Sequence, residues 1–395
     1  MRIRSQWLER RARVGDRSTA AWARVVSRNA LPVIVGGLTV VLLASLFGVA
    51  GAVAPSAAPA GATSAAVVAV PAPGEFNHPG DLLITDQFNN RVVEIDPLTK
   101  QIVWSFGTGN SELCNPGPHA IIAPNDAERL ANGFTLISGT GVPPGVPGIA
   151  PCVDNRVIVV NEAGNIVWQY GRAGQTGSGF DLLNTPVFAI QLPNHNFLIT
   201  DQGNNRIIEV NFAKQIVWSY GPASGPGALN SPNSAELLAN GDYLIADENN
   251  NRILEVDPAG QIVWEYRHGL DTAAFASRLP NGETLITDSG HNRILLINAE
   301  KRVVFQYHTN TSARSNATPS PTNAVEIQGG DIIIADQFND RVIVINLAGQ
   351  IVFQYGQINQ PGVGFDELNA PYTAFEIGDY TGQTAPPSHF RPMMA

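Results

Sequence analysis

Seven histidines and two cysteines carry most of the nucleophilic and metal-ligating chemistry open to this 395-residue chain. The histidines stand at 78, 119, 195, 268, 291, 308 and 389, with no H-x-x-x-H or H-E-x-x-H spacing, and Cys114 and Cys152 form no C-x-x-C. Zinc therefore has no sequence signal, and no metal site is predicted. His195, in a P-N-H-N turn, and His291, in S-G-H-N-R, read as surface residues. His119, His268 and His308 fall in segments that join one repeat to the next. Acid–base or nucleophilic chemistry would require them to converge with carboxylates such as Asp126 or Asp271.

A second set of residues is far more regular. Asp86, Asp201, Asp247, Asp288 and Asp336 each stand five positions before an arginine: Arg91, Arg206, Arg252, Arg293 and Arg341. Asn89 lies between the first pair, and Ser138 takes the aspartate's place ahead of Arg156. As chemistry, such a column would be a ring of carboxylate and amide oxygens, donors that suit calcium or a bound ligand. As structure, each aspartate would accept backbone N–H bonds in its turn and pair with an arginine of its own repeat or the next. Recurrence in nearly every repeat favours the structural reading.

These columns sit inside one phrase that recurs along the chain. DLLITDQFNNRVVEIDPLTKQIVWSFG, from Asp81, returns from Asn196, Asp242, Glu283 and Asp331, and in a broken form from Gly133. Each copy holds three alternating apolar–polar runs, LLITD, RVVEID and QIVWSF in the first, divided by Asx- and Gly-rich turns. A fourth strand precedes each copy and carries Ala127, Ala189, Ala235, Ala276, Ala324 or Ala374 at its third position. Four strands per repeat of about 50 residues predict a six-bladed β-propeller, all-β, with small residues crowding a central axis. The first copy lacks a preceding inner strand, and Tyr372–Tyr380 is an inner strand with nothing after it, so the C-terminal strand should complete blade one and close the ring. Columns of Trp104, Trp168, Trp218, Trp264, Phe305 and Phe353, each with a second aromatic two residues on, read as inter-blade packing rather than as a ligand cage. The turns between second and third strands share a face with the Gly-rich inter-blade loops (174–186, 221–232, 356–371) and with an insertion, Gly139–Val153. That loop-rich face is the natural ligand face.

The phrase D-x-x-N-x-R-[IV] and the Gly-rich inter-blade loops resemble those of NHL-repeat propellers, over about residues 80–380. The resemblance implies a propeller that serves as an interaction platform. It shades into quinoprotein-like and arylsulfotransferase-like propellers, whose blades read L-P-N-G-x-T-L-I and E-I-V-W similarly, and six-bladed relatives include lyases and lactonases. The arylsulfotransferase likeness implies a channel histidine at the start of an inner strand. Here that slot holds Asn125, Val187, Asn233, Ala274, Thr322 and Tyr372, which argues against that activity. No cofactor is predicted; Ca2+, from the oxygen column, and a quinone, from the quinoprotein likeness, are the alternatives.

Ahead of the repeats, Leu31–Ala54 is an uncharged apolar run of 24 residues. As a helix it would reach about 36 Å, enough for a hydrocarbon core of about 30 Å. Eight arginines lie before it, so the positive-inside rule places residues 1–30 in the cytoplasm and the repeats outside. A signal peptide cleaved after Ala52-Val53-Ala54 is the alternative. The remaining body holds 16 basic against 32 acidic residues (24 − 8 and 34 − 2), an acidity that repels nucleic acid. The expected organisation is a basic cytoplasmic tail (1–30), a transmembrane anchor (31–54), a Pro/Ala-rich linker (55–75), the propeller (76–382) and a flexible tail (383–395). With the body outside, and with two cysteines only, in loops on one face of blade two, a Cys114–Cys152 disulfide is expected. The functional expectation is a membrane-tethered, extracytoplasmic scaffold that binds a protein or small molecule on its loop-rich face, not an enzyme. The alternative is a propeller enzyme (lyase, lactonase, quinoprotein-like or arylsulfotransferase-like) with its site in the channel.

Overall fold

The computed structural model describes residues 74–142 and 151–388. The basic tail, the apolar anchor 31–54 and the linker up to residue 73 lie outside them, as do residues 389–395. Among the described residues no helix is long and apolar enough to cross a membrane.

Six four-stranded antiparallel sheets make up the described body, as the repeats predict. Blade one takes its inner strand, Pro371–Glu376, from the C-terminus and continues through Leu82–Asp86, Arg91–Ile95 and Ile102–Gly107. Ile84 pairs with Ala374 and Leu83 with Phe375, so the ring closes by joining the two ends of the repeat region. The inner strands of blades two to six are Pro124–Arg129, Pro186–Gln191, Pro232–Leu237, Ala273–Arg278 and Asn323–Glu326. The alanine column falls on these inner strands and is buried throughout.

The second and third strands do not alternate between core and solvent as their sequence rhythm suggests. Leu82–Asp86 and Arg91–Ile95 are buried at every position, and so are their counterparts in blades four and six. The reason is that both faces of a blade are covered by its neighbours, as in a sheet buried on two sides. Only the outer strands keep solvent-facing positions, such as Val217, Val263 and Val352.

The aromatic columns close the seams between blades. Trp168 stacks on Phe197 of blade three at 4.1 Å between centroids, and Trp218 on Tyr243 of blade four at 4.0 Å. The indole N–H groups of Trp104, Trp168 and Trp218 donate to the carbonyls of Glu162, Phe212 and Pro258, each in the following blade. Each ring thus fills the wedge between two blades and meets its own polar requirement there.

Two segments differ from expectation. The Gly139–Val153 insertion is paired at its two described ends: blade two's second and third strands lengthen to Thr135–Val142 and Cys152–Val160, with Gly141 paired to Val153 and Val142 to Cys152. The expected disulfide is present at its base, Cys114 to Cys152, with Cα atoms 5.4 Å apart. The tail expected to be flexible from residue 383 instead folds back under the ring as far as it is described, and Thr384 is buried.

Candidate functional site

The loop-rich face is built by one cassette repeated around the ring. In blades one, three, four, five and six the aspartate ends the second strand, a three-residue 3-10 turn follows, and the arginine opens the third strand. The residue before each arginine (Asn90, Asn205, Asn251, Asn292 or Asp340) has φ of 52–56°, a left-handed conformation that short Asx side chains tolerate. Aspartate Oδ2 accepts from the arginine Nε of its own blade at 2.6–2.8 Å: Asp86–Arg91, Asp201–Arg206, Asp247–Arg252, Asp288–Arg293 and Asp336–Arg341. The alternative of pairing across to the next blade is therefore set aside, because the hairpin register places both residues opposite each other.

The second carboxylate oxygen and the guanidinium then hold a loop. Asp86, Asp201, Asp247 and Asp288 accept from the backbone N–H of Asn369, Asn184, Asn230 and Asp271. Arg91 donates to the carbonyls of Val363 and Glu367, Arg206 to those of Ser178 and Leu182, and Arg252 to those of Pro226 and Ala228. In each case this is the loop leading into the arginine's own blade. The left-handed Asx grips the next loop: Asn90 accepts from Ala123 N–H, Asn205 from Ser231, Asn251 from Thr272, Asn292 from Ser320 and Asp340 from Ala370. Asn89 and its equivalents complete the aspartate's shell, with His291 standing in for asparagine in blade five. Burial pushes the carboxyls of Asp86, Asp201, Asp247 and Asp336 up, while arginine and amide donors pull them back. In Asp86, Asp201, Asp247 and Asp288 both oxygens that could have faced calcium are spent on N–H groups, and among the described residues no group of three or more His, Cys, Asp or Glu is placed to hold a metal ion.

Blade two reaches the same result with different residues. Asp154, two positions before Arg156 on the third strand, takes up the guanidinium at 2.5 Å and accepts from Ile122 N–H. Arg156 donates to the Gly117 and Ala120 carbonyls, and Asn155 grips Thr185 N–H. The missing acid at Ser138 is thus a relocation. The D-N-R order of residues 154–156 was its signal.

The candidate catalytic histidines do not come together. His119 is exposed between blades one and two, with Nδ1 3.0 Å from the Gly164 carbonyl oxygen. His268 is exposed just past the outer strand of blade four, edge-on to Tyr266. His308 ends the outer strand of blade five, opposite Arg293. Each belongs to the rim of a different blade.

The channel is filled by other residues. At its loop-face end Gln337 donates to Gln87 (2.8 Å) and Gln87 to Asn125 (2.6 Å). Across from them Asn233 donates to Glu248 (2.9 Å) and to the Tyr372 hydroxyl (2.8 Å), and Gln202 donates to Glu248 (3.2 Å). All seven are buried. The residues after four of the five aspartates (Gln87, Gln202, Glu248 and Gln337), and three of the inner-strand slots that hold no histidine (Asn125, Asn233 and Tyr372), supply these bonds. Deeper in, carboxylates answer the free edges of inner strands, whose N–H groups need acceptors. Asp126 accepts from Ala189 N–H (3.0 Å) and Glu128 from Gln191 (2.7 Å), while Glu236 accepts from Thr384 (2.8 Å), in the segment past the last inner strand. Burial, with a smaller contribution from the like charge of Glu236, pushes Asp126 up to about 8. Burial alone takes Glu236 to about 7, and burial, with the like charges of Asp126 and Glu236, raises Glu128 well above the usual carboxylate range. The space between these acids, Phe188, Tyr380 and Thr384 is about 20 Å3. That admits roughly one water, against about 300–1,000 Å3 for a small-molecule site.

Among the described residues the large aromatic side chains exposed to solvent lie instead on the inter-blade loops. Phe180 is 67% exposed and Phe365 62%, and both belong to a Gly-Phe-Asp sequence, at 179–181 and 364–366. Their loops are staked alike. Asp181 accepts from Gly171 N–H and meets Lys214, and Asp366 accepts from Gly356 N–H and meets Lys100. Leu113, beside Cys114, is exposed on the loop between blades one and two, and Val363 on the same loop as Phe365. The sequence reading passed over these residues; an aromatic between Gly and Asp in two aperiodic loops was the available sign.

A family model described as outer membrane protein assembly factor BamB matches residues 146–355, more than half of the chain. No curated protein matches it. Among solved structures, a protein of unknown function from Bacteroides caccae is 19% identical, with 71% of this chain and 97% of that one covered at a TM-score of 0.51. Virginiamycin B lyase from Staphylococcus aureus (15% identity, 61% and 75% covered, TM-score 0.43) and a streptogramin B lyase (18%, 63% and 72%, 0.44) also match. The first likeness is one of fold; the two lyases, below a TM-score of 0.5, carry nothing about chemistry.

Proposed function

The chain belongs to the family described as outer membrane protein assembly factor BamB, and on that premise we propose that it is a non-enzymatic propeller scaffold, tethered to a membrane and facing away from the cytoplasm, that holds a protein partner on its loop-rich face. The observation that carries this reading is the contrast between the two places where a propeller can bind. The channel is closed by its own side chains around a space of about 20 Å3. The inter-blade loops, by contrast, are held rigidly by the Asp–Arg–Asx cassettes and present Phe180 and Phe365 to solvent. Rigid exposed aromatics are what a protein–protein contact uses. The NHL-like character of the repeats supports the same role.

The tether follows from the uncharged run Leu31–Ala54 behind an arginine-rich start. The Cys114–Cys152 disulfide fits an oxidising compartment. The described chain begins beside the turn at Gly133, where Phe76 packs on Trp104, on the side opposite the loop face. An anchor joined there leaves the loop-rich face turned outward. The test is affinity capture from solubilised membranes with the wild-type chain and with Phe180→Ser/Phe365→Ser. A partner retained by the wild type and lost by a variant with an unchanged melting temperature supports the scaffold. Equal capture by both contradicts the assigned face.

A further inference from the structure

Beyond the last inner strand, residues 377–388 turn beneath the channel and touch four other blades. The Tyr380 hydroxyl donates to the Arg129 carbonyl of blade two (2.9 Å). The Thr384 hydroxyl accepts from Leu237 N–H (2.8 Å) and donates to the Leu237 carbonyl (3.1 Å), while its N–H donates to Glu236 Oε2 (2.8 Å), all in blade four. Gly382, at φ 71°, lies so close to Leu279 of blade five that a Cβ would come within 2.8 Å of it. In blade six, Gln328 N–H donates to Asp379. The segment is therefore a floor across the channel, fastened at points around its rim.

Directly above it lie Asp126, Glu128 and Glu236, with Glu376, Asp379 and Tyr380 at the margin. Among the described residues Arg129 is the one basic side chain lining the same space, and its guanidinium turns away into the seam between blades one and two, against Glu94 (2.7 Å), Phe76 and Trp104. Among the described residues no cation answers the three acids.

We propose that residues 377–388 are a strap that closes the channel while the carboxyls above it hold protons and lets go when they ionise. The linkage is direct. Under the strap Asp126, Glu128 and Glu236 are dry and crowd one another, which raises their proton affinity. With the strap displaced, water reaches them and they ionise as ordinary carboxyls. Closing therefore takes up protons, and a rise in pH from about 4 up to about 7 to 8 favours the open strap. Opening bares Phe188 and Phe375 together with the acids on the side where the chain's N-terminal segment joins.

The experiment is hydrogen exchange, read by mass spectrometry on the full chain for peptides covering 377–388 and corrected for intrinsic rates. Wild-type protection should fall about tenfold between pH 6 and pH 9, the response to about one pKa unit of coupling. Asp126→Asn/Glu236→Gln keeps both acceptors and removes two of the three charges, so its protection should fall much less than the wild type's across that range. Glu236→Gln alone serves if the double variant does not fold, with a reduced fall expected. Thr384→Val should lower protection at both pH values and leave their ratio unchanged. Wild-type protection that is flat with pH, or an equal fall in the charge-removed variants, overturns the proposal.

Discussion

Gly139 stands where a Cβ would come within 2.8 Å of the Asp154 carboxyl and 2.6 Å of Ile121 Cδ1. The absent side chain is what lets blade two carry its acid on the third strand and still meet Arg156 and Ile122 N–H. Gly139→Ala should destabilise by about 1–3 kcal/mol, the usual cost of overpacking. Asp154→Ala should cost about 3–5 kcal/mol, because Arg156 stays buried without its partner. Urea melts of the two variants check both figures, and an Asp154→Ala protein as stable as the wild type would refute the relocated pair.

Asp340 fills a position that is asparagine in the other five blades. Burial, aided by the charges of Asp86 and Asp336, pushes its carboxyl up to about 7. The folded chain therefore holds a proton there that the unfolded chain releases near pH 4, and stability from this site falls as pH rises from about 4 to about 7. Asp340→Asn keeps the acceptor for Ala370 N–H and removes the charge. It should add about 1–3 kcal/mol at pH 8 and little at pH 4. Melts at the two pH values read the difference; equal gains at both would contradict the assignment.

The disulfide ties the lengthened hairpin of blade two to the loop that leads into it. Thiol titration of the denatured, unreduced chain should find no free thiol, and two after reduction. Reduction should cost about 2–4 kcal/mol. Two free thiols before reduction would remove the bridge from the account.

The ring was legible in the sequence because each blade repeats the same local chemistry. The Asp–Arg spacing, the Asx turn and the alanine column are short-range patterns, and closure could be read from the unmatched inner strand at the C-terminus. The channel was not legible in this way. Gln87, Glu248, Asn233 and Tyr372 are distant in sequence and meet only because the ring bends their strands to one axis. Thr384 was hidden for a similar reason. A Thr-Ala-Pro-Pro segment has no periodicity, and its partner Leu237 lies far back in blade four. Phe180 and Phe365 were overlooked because loops were read for glycine and proline, which set the path of the chain, rather than for the side chains the path displays.

The scaffold reading is tested most directly by photo-crosslinking in the intact membrane. A photoreactive residue is placed in turn at Phe180, at Phe365 and, on the opposite side, at exposed Asn194 and Asn281 in the turns between first and second strands. The account predicts a discrete crosslinked protein from Phe180 and Phe365 and none from Asn194 or Asn281. Crosslinks confined to Asn194 and Asn281, or none from any position, would contradict it.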